Sequence, residues 1–100
     1  MPKDPLLPYE DLHMTKSILR MELNVLAYAI IQGEPLSLLH SLLKEIDQVT
    51  NKLGHREMQL AVHDISYLID HYYPISESTE WSVISSLGEK FRYIDRQTLY

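Results

Sequence analysis

The sequence predicts an all-α fold, an antiparallel up-down four-helix bundle with a short proline-containing N-terminal arm and a flexible C-terminal tail. Three observations predict it. Apolar residues recur at three- and four-residue spacing in four successive stretches. Gly33, Pro35, Gly54 and Pro74 fall between those stretches, where chain breaks belong. No segment alternates apolar and polar residues with the period of a strand. The connections left between the stretches are short, so consecutive helices are expected to be antiparallel neighbours in a single domain spanning residues 1–100.

The arm comes first. Pro2, Pro5 and Pro8 keep this segment from starting a regular helix, and it reads as extended. The first helix is expected over about residues 11–32. Leu19, Leu23, Leu26, Ala27, Ile30 and Ile31 form its core stripe. Met14, Ile18, Met21, Val25 and Tyr28 widen that stripe, which predicts burial on more than one side. Gly33 is placed to cap its C-terminus.

Pro35 suits the first turn of a second helix over about 36–53, because the N–H that proline lacks has no partner there anyway. Its inward residues are Leu36, Leu39, Leu43, Ile46 and Leu53, opposite Lys44, Asp47, Gln48 and Lys52. Gly54 again stands at a capping position. The third helix, about 55–72, carries Met58, Ala61, Val62, Ile65, Leu68, Ile69 and Tyr72 on one face, and Pro74 stops it. Ser76 is the expected N-cap of a fourth helix over about 76–92, with Glu77 and Glu80 favoured in its first turn by the helix dipole. Trp81, Ile84, Leu87 and Phe91 are its core stripe, Gly88 allows close packing or an early break, and fraying is expected near Arg92.

Composition narrows the function. With 45% apolar residues, 100 residues suffice for one unaided core. The absence of cysteine removes disulfides and thiolate metal sites, and suits a reducing cytoplasm. A net charge of -5 disfavours nonspecific nucleic-acid binding, which relies on a basic surface to release counterions. The charge is uneven: residues 89–100 carry Lys90, Arg92 and Arg96 against Glu89 and Asp95, whereas no lysine or arginine occurs between Glu57 and Glu89. No apolar stretch is long enough to cross a bilayer, and the start lacks the apolar run of a secretory signal.

Signs of catalysis are missing from the sequence. His13, His40, His55, His63 and His71 contain no i, i+4 pair of the kind that holds zinc on one helix face. His55, Gln59, His63, Ser66 and Asp70 share a face of the third helix, read here as a polar solvent face. A pH-sensitive strip is its sharper alternative, since histidine titrates near neutrality. There is no nucleophile elbow and no glycine-rich phosphate loop, and the carboxylates are dispersed over polar faces. The expectation is a protein that is not an enzyme and uses neither cofactor nor metal. Aromatics are the remaining signal. Tyr72, Trp81 and Phe91 fit the core stripes, whereas Tyr67, Tyr73, Tyr93 and Tyr100 fall off them, Tyr93 directly beside Arg92 as protein interfaces favour.

Four segments resemble the immunity proteins that protect producers of pediocin-like (class IIa) bacteriocins. Leu60-Ala-Val-His-Asp-Ile-Ser-Tyr-Leu-Ile69 is similar to that family's third helix. Ile75-Ser-Glu-Ser and Val83-Ile-Ser-Ser-Leu-Gly88 resemble its turn and fourth helix, and Phe91-Arg-Tyr-Ile94 its aromatic, basic tail. The resemblance implies a cytoplasmic four-helix bundle, peripheral at the inner face of the membrane, which engages the membrane-embedded mannose phosphotransferase permease with its bound bacteriocin. It thereby protects the cell from a pore-forming peptide. It also implies that specificity lies from Trp81 onward. The candidate partner-binding residues are therefore Trp81, Lys90, Phe91, Arg92, Tyr93, Arg96 and Tyr100. Residues 31–46, a helix end, a glycine turn and a leucine-rich helix, also resemble small helical regulators of biofilm and signalling pathways. That alternative implies binding to a regulatory protein.

Overall fold

A computed structural model describes residues 9–99, with side chains from Asp11 onward. The Pro2–Pro8 arm and Tyr100 lie outside the described residues. Four helices follow in order: α1 (Tyr9–Gln32), α2 (Leu36–Leu53), α3 (Arg56–Tyr72) and α4 (Trp81–Gln97). Each of the first three ends where the sequence placed a stop. Gly33 and Gly54 adopt left-handed φ of +71° and +66°, the region that glycine enters without a Cβ penalty. The Gly54 N–H closes α2 on the Thr50 and Asn51 carbonyls. His55, expected as the first residue of α3, caps it instead: its Nδ1 accepts from the Met58 N–H at 3.1 Å. After Tyr73 the chain turns through a cis Tyr73–Pro74 bond.

α2 packs between α1 and α3, and α3 carries α4, while α1 and α4 meet only slightly. The core is one cluster from all four helices. Leu19, Leu23, Leu26 and Ile30 of α1 meet Leu39, Leu43 and Ile46 of α2, Met58, Val62, Ile65 and Ile69 of α3, and Val83, Leu87 and Ile94 of α4. Thr50 is fully buried as well, its hydroxyl satisfied by the Asp47 carbonyl at 2.9 Å.

The fourth helix differs most from its expected bounds. It begins at Trp81, not at residue 76, because residues 76–79 spend their polar groups on one another. The Ser76 N–H donates to Thr79 Oγ1 (2.9 Å), the Thr79 N–H to the Ser76 carbonyl (3.1 Å), and Ser76 Oγ pairs with Ser78 Oγ (2.8 Å). Such local bonds compete with a helix for the same backbone groups. Ser76 is therefore no cap of α4; Glu80 holds that position. At the other end the helix continues past Arg92 to Gln97, so residues 93–97 are not a loose tail. Ile94 is 0% exposed, and the N–H of buried Thr98 closes the last turn on the Ile94 and Asp95 carbonyls, with the Leu99 N–H on that of Arg96. Gly88 interrupts nothing.

Several residues expected in the core stand outside it. Trp81 is 76% exposed, and Ile31, Leu36 and Tyr72 are exposed as well. On α1 the second apolar face, Met14, Ile18, Met21, Val25 and Tyr28, is exposed along its length. The reason is geometric. α1 meets neighbours chiefly on its α2 side, and the stripe of Leu19, Leu23, Leu26 and Ile30 already fills that contact. The opposite stripe has no described element to pack against.

Candidate functional site

The sequence-predicted site residues divide into two groups on α4. Trp81, Arg92 and Arg96 project from its outer face, with Ser85 between them at helical spacing. All three are exposed, and exposed Leu99 continues this face beyond the helix end. The Arg92 guanidinium folds back over Gly88, such that a Cβ there would meet Nη1 at 3.2 Å. Glycine thus leaves room for the arginine to lie along the helix. An aromatic ring, two guanidinium groups and an apolar end make the residue mixture that protein interfaces concentrate.

Lys90, Phe91 and Tyr93 turn the other way. Phe91 and Tyr93 are half-buried against the core. Lys90 Nζ lies 3.2 Å from Asp64 Oδ2, and because both are well exposed the pair contributes little to stability. The Tyr93 ring stands edge-on to His55, with centroids 6.4 Å apart. Burial, and then the Glu57 carboxylate, raises the Tyr93 hydroxyl above its ordinary value of 10.0. It therefore stays protonated and can donate a hydrogen bond. Lys90 and Tyr93 line an open groove of about 410 Å³ between α3 and α4, with Glu57, Leu60, Asp64 and Glu89. Three carboxylates against one lysine give the groove a negative balance, opposite to the outer face. Asp95, one residue before Arg96, reaches Arg20 of α1 at 3.5 Å and joins α4 to α1.

The polar strip on α3 is exposed, and its members also meet α2. His63 Nε2 faces Asp47 of α2 at 3.5 Å, and Asp70 Oδ1 accepts from His40 Nε2 at 2.8 Å. Gln59 Nε2 donates to Asn51 Oδ1 at 2.7 Å. The strip is the wet margin of the α2–α3 seam. Its signal was present in the sequence, since His40 and Asp47 on α2 repeat as His63 and Asp70 on α3 with the same spacing. The pairs form in reversed order along the two helices, 40 with 70 and 47 with 63, histidine to aspartate each time. Tyr73 makes a further link, its hydroxyl donating to the Glu34 carbonyl in the turn between α1 and α2. A shallow opening of about 280 Å³ on this seam is lined by His40, Lys44, Asp47, His63 and Ser66 beside the apolar Leu43 and Val62. Among the described residues, no three histidine, aspartate or glutamate side chains converge to hold a metal ion. Likewise, no described helix is long and apolar enough to cross a membrane.

Sequence reasoning missed the outer stripe of α1 as a surface. Its signal was the run Met14, Ile18, Met21, Val25, Tyr28, which lies opposite Leu19, Leu23, Leu26 and Ile30 on the helix and competes with them for burial. No protein-family model, curated protein or solved structure matches this chain.

Proposed function

We propose that this chain is a non-enzymatic protein-binding protein, an immunity protein of the pediocin-like bacteriocin type. It acts in the cytoplasm, peripherally at the inner face of the membrane, and engages a mannose phosphotransferase permease that has a bacteriocin docked on it. The observation that carries the binding role is the outer face of α4. Trp81, Arg92 and Arg96 stand exposed on a helix whose opposite side is anchored by Val83, Leu87 and Ile94. A surface held rigid in this way loses little side-chain and backbone freedom when a partner arrives. The reversed order of contacts along α2 and α3 (40 to 70, 47 to 63) supports the antiparallel up-down bundle that the short connections imply.

The test expresses the gene in a bacteriocin-sensitive strain and challenges it with a panel of class IIa peptides. Protection is expected against at least one of them. The variant Trp81→Ala/Arg92→Ala/Arg96→Ala is expected to lose that protection while keeping its helical circular dichroism, because all three side chains are exposed. No protection by the wild-type chain against any peptide sinks the immunity reading. Full protection by the triple variant removes the outer face of α4 from it.

A further inference from the structure

The outer stripe of α1 has a spacing of its own. Met14, Ile18, Met21, Val25 and Tyr28 follow one another at intervals of four, three, four and three. That is a heptad pattern, with Ile18 and Val25 at one seam position and Met14, Met21 and Tyr28 at the other. The five side chains range from 44% exposed (Ile18) to 67% exposed (Met21), and Ile31 at the stripe's margin is 78% exposed. The stripe runs about 21 Å along the helix at about 1.5 Å per residue. Polar residues close it at both ends, since Asp11 and Gln32 occupy the next seam positions in each direction.

We propose that this face is the seat of a second copy of the chain, two α1 helices packing stripe to stripe about a twofold axis. Three features select a second copy over other occupants. The first is the pattern itself: a heptad stripe is self-complementary, whereas a helix built to pack within its own bundle needs one apolar face, which α1 has already used on α2. The second is charge. Ser17 and Asn24 flank the stripe on one side. On the other stand Thr15, Glu22 and buried Ala29, with Glu22 held beside Glu45 of α2. Identical chains therefore bring no row of like charges together at the rim. Nor is there the patterned charge by which heptad helices choose a different partner. A lipid surface fits less well, because membrane-lying helices border their apolar face with lysine and arginine. Here the flanking positions Thr15, Ser17, Glu22, Asn24 and Ala29 hold neither lysine nor arginine, and the chain as a whole carries -5.

The third feature is area. The stripe and Ile31 leave on the order of 700 Å² of side chain exposed per chain, so pairing two copies removes roughly 1,200 Å² from water, the lower bound for stable interfaces. A weak, concentration-dependent dimer follows from that size. β-Branched Ile18 and Val25 at their shared seam position are the residues that two-stranded pairing favours.

Sedimentation equilibrium of the full chain over a concentration series is the test. The expected result is a mass rising from 11.7 kDa toward twice that value. Met21→Glu/Val25→Glu should raise the dissociation constant roughly 30-fold or more, as central interface positions do. Its circular dichroism should be unchanged, because both side chains already face solvent in the single chain. Since the protein has no cysteine of its own, Met21→Cys provides a second and independent readout. Mild oxidation should cross-link it to a dimer, whereas Gln48→Cys on the exposed polar face of α2 should not cross-link. A wild-type mass that stays at 11.7 kDa throughout overturns the proposal, as does a glutamate variant that dimerises like wild type. Equal cross-linking of the two cysteine variants also overturns it. A monomer that co-sediments with phosphatidylcholine vesicles overturns it in favour of a lipid surface.

Discussion

Ile94→Ala tests whether the end of the chain is part of the fold. Ile94 sits in what the sequence marks as a loose tail, yet it is 0% exposed in the common core of the four helices. The substitution removes Cγ1, Cγ2 and Cδ1. At about 0.8 kcal/mol per buried methylene, the lost transfer free energy is about 2.4 kcal/mol. If the resulting void of roughly 80 Å³ stays open, about 24 cal/mol per Å³ adds up to ~1.9 kcal/mol. The expected cost is therefore about 2.5–4.5 kcal/mol, a large share of the ~5–15 kcal/mol typical of a domain. Urea unfolding followed by far-ultraviolet circular dichroism measures it, with Leu99→Ala as control. Leu99 is exposed, and its truncation should change stability by no more than about 0.5 kcal/mol. A loss below about 1 kcal/mol for Ile94→Ala, or one equal to the control, would refute the placement of Ile94 in the core. The same reasoning requires that deleting residues 93–100 disrupts the fold, so protection assays need point substitutions on the outer face of α4, not truncations.

Three further outcomes follow from particular side chains. Gly54→Ala should cost about 1–2 kcal/mol, the price of a left-handed φ for an L-residue; a Cβ there meets no atom within 4 Å, so the whole cost is backbone, and a neutral result in urea unfolding contradicts the φ of +66°. Glu22 is raised above its ordinary value of 4.5 by desolvation and then by the neighbouring Glu45 carboxyl, and its Oε1 is closed off from solvent without a hydrogen-bond partner. The folded state then holds a proton that the unfolded chain has released, so stability falls as pH rises from 4.5 through the raised value. Glu22→Gln should accordingly stabilise the protein at neutral pH and flatten that part of the pH profile, and destabilisation at neutral pH would contradict this. Trp81, the single tryptophan, should emit like a water-exposed indole and be freely quenched by iodide in the native state. A blue-shifted, protected spectrum would return it to the core stripe where its spacing alone puts it.

The candidate site was legible as residue types and not as a surface. Trp81, Arg92 and Arg96 could be named from composition because aromatic and basic residues concentrate near the chain's end. Spacing could not tell that Lys90 and Tyr93, interleaved with them, line the α3–α4 groove while Phe91 packs against the core. The register of α4 settles that, and the register depends on Ile94 being anchored in a core contributed by three other helices. The α3 polar strip shows the same limit. His63 and Asp70 look like any solvent face until α2 brings Asp47 and His40 opposite them.

What the sequence by itself determined is local. The three- and four-residue apolar periods, Gly33 and Gly54 at left-handed stops, and Pro35 and Pro74 at breaks set four helices and most of the core. Those preferences act within a few bonds of each residue and need no partner. The tertiary structure decided which of two apolar faces on α1 is buried, that residues 93–97 continue as helix, and which polar residues meet across the α2–α3 seam. Each of those outcomes depends on a neighbour distant in sequence. An apolar stripe is buried only where another element comes to cover it, and for Met14, Ile18, Met21, Val25 and Tyr28 no element among the described residues does.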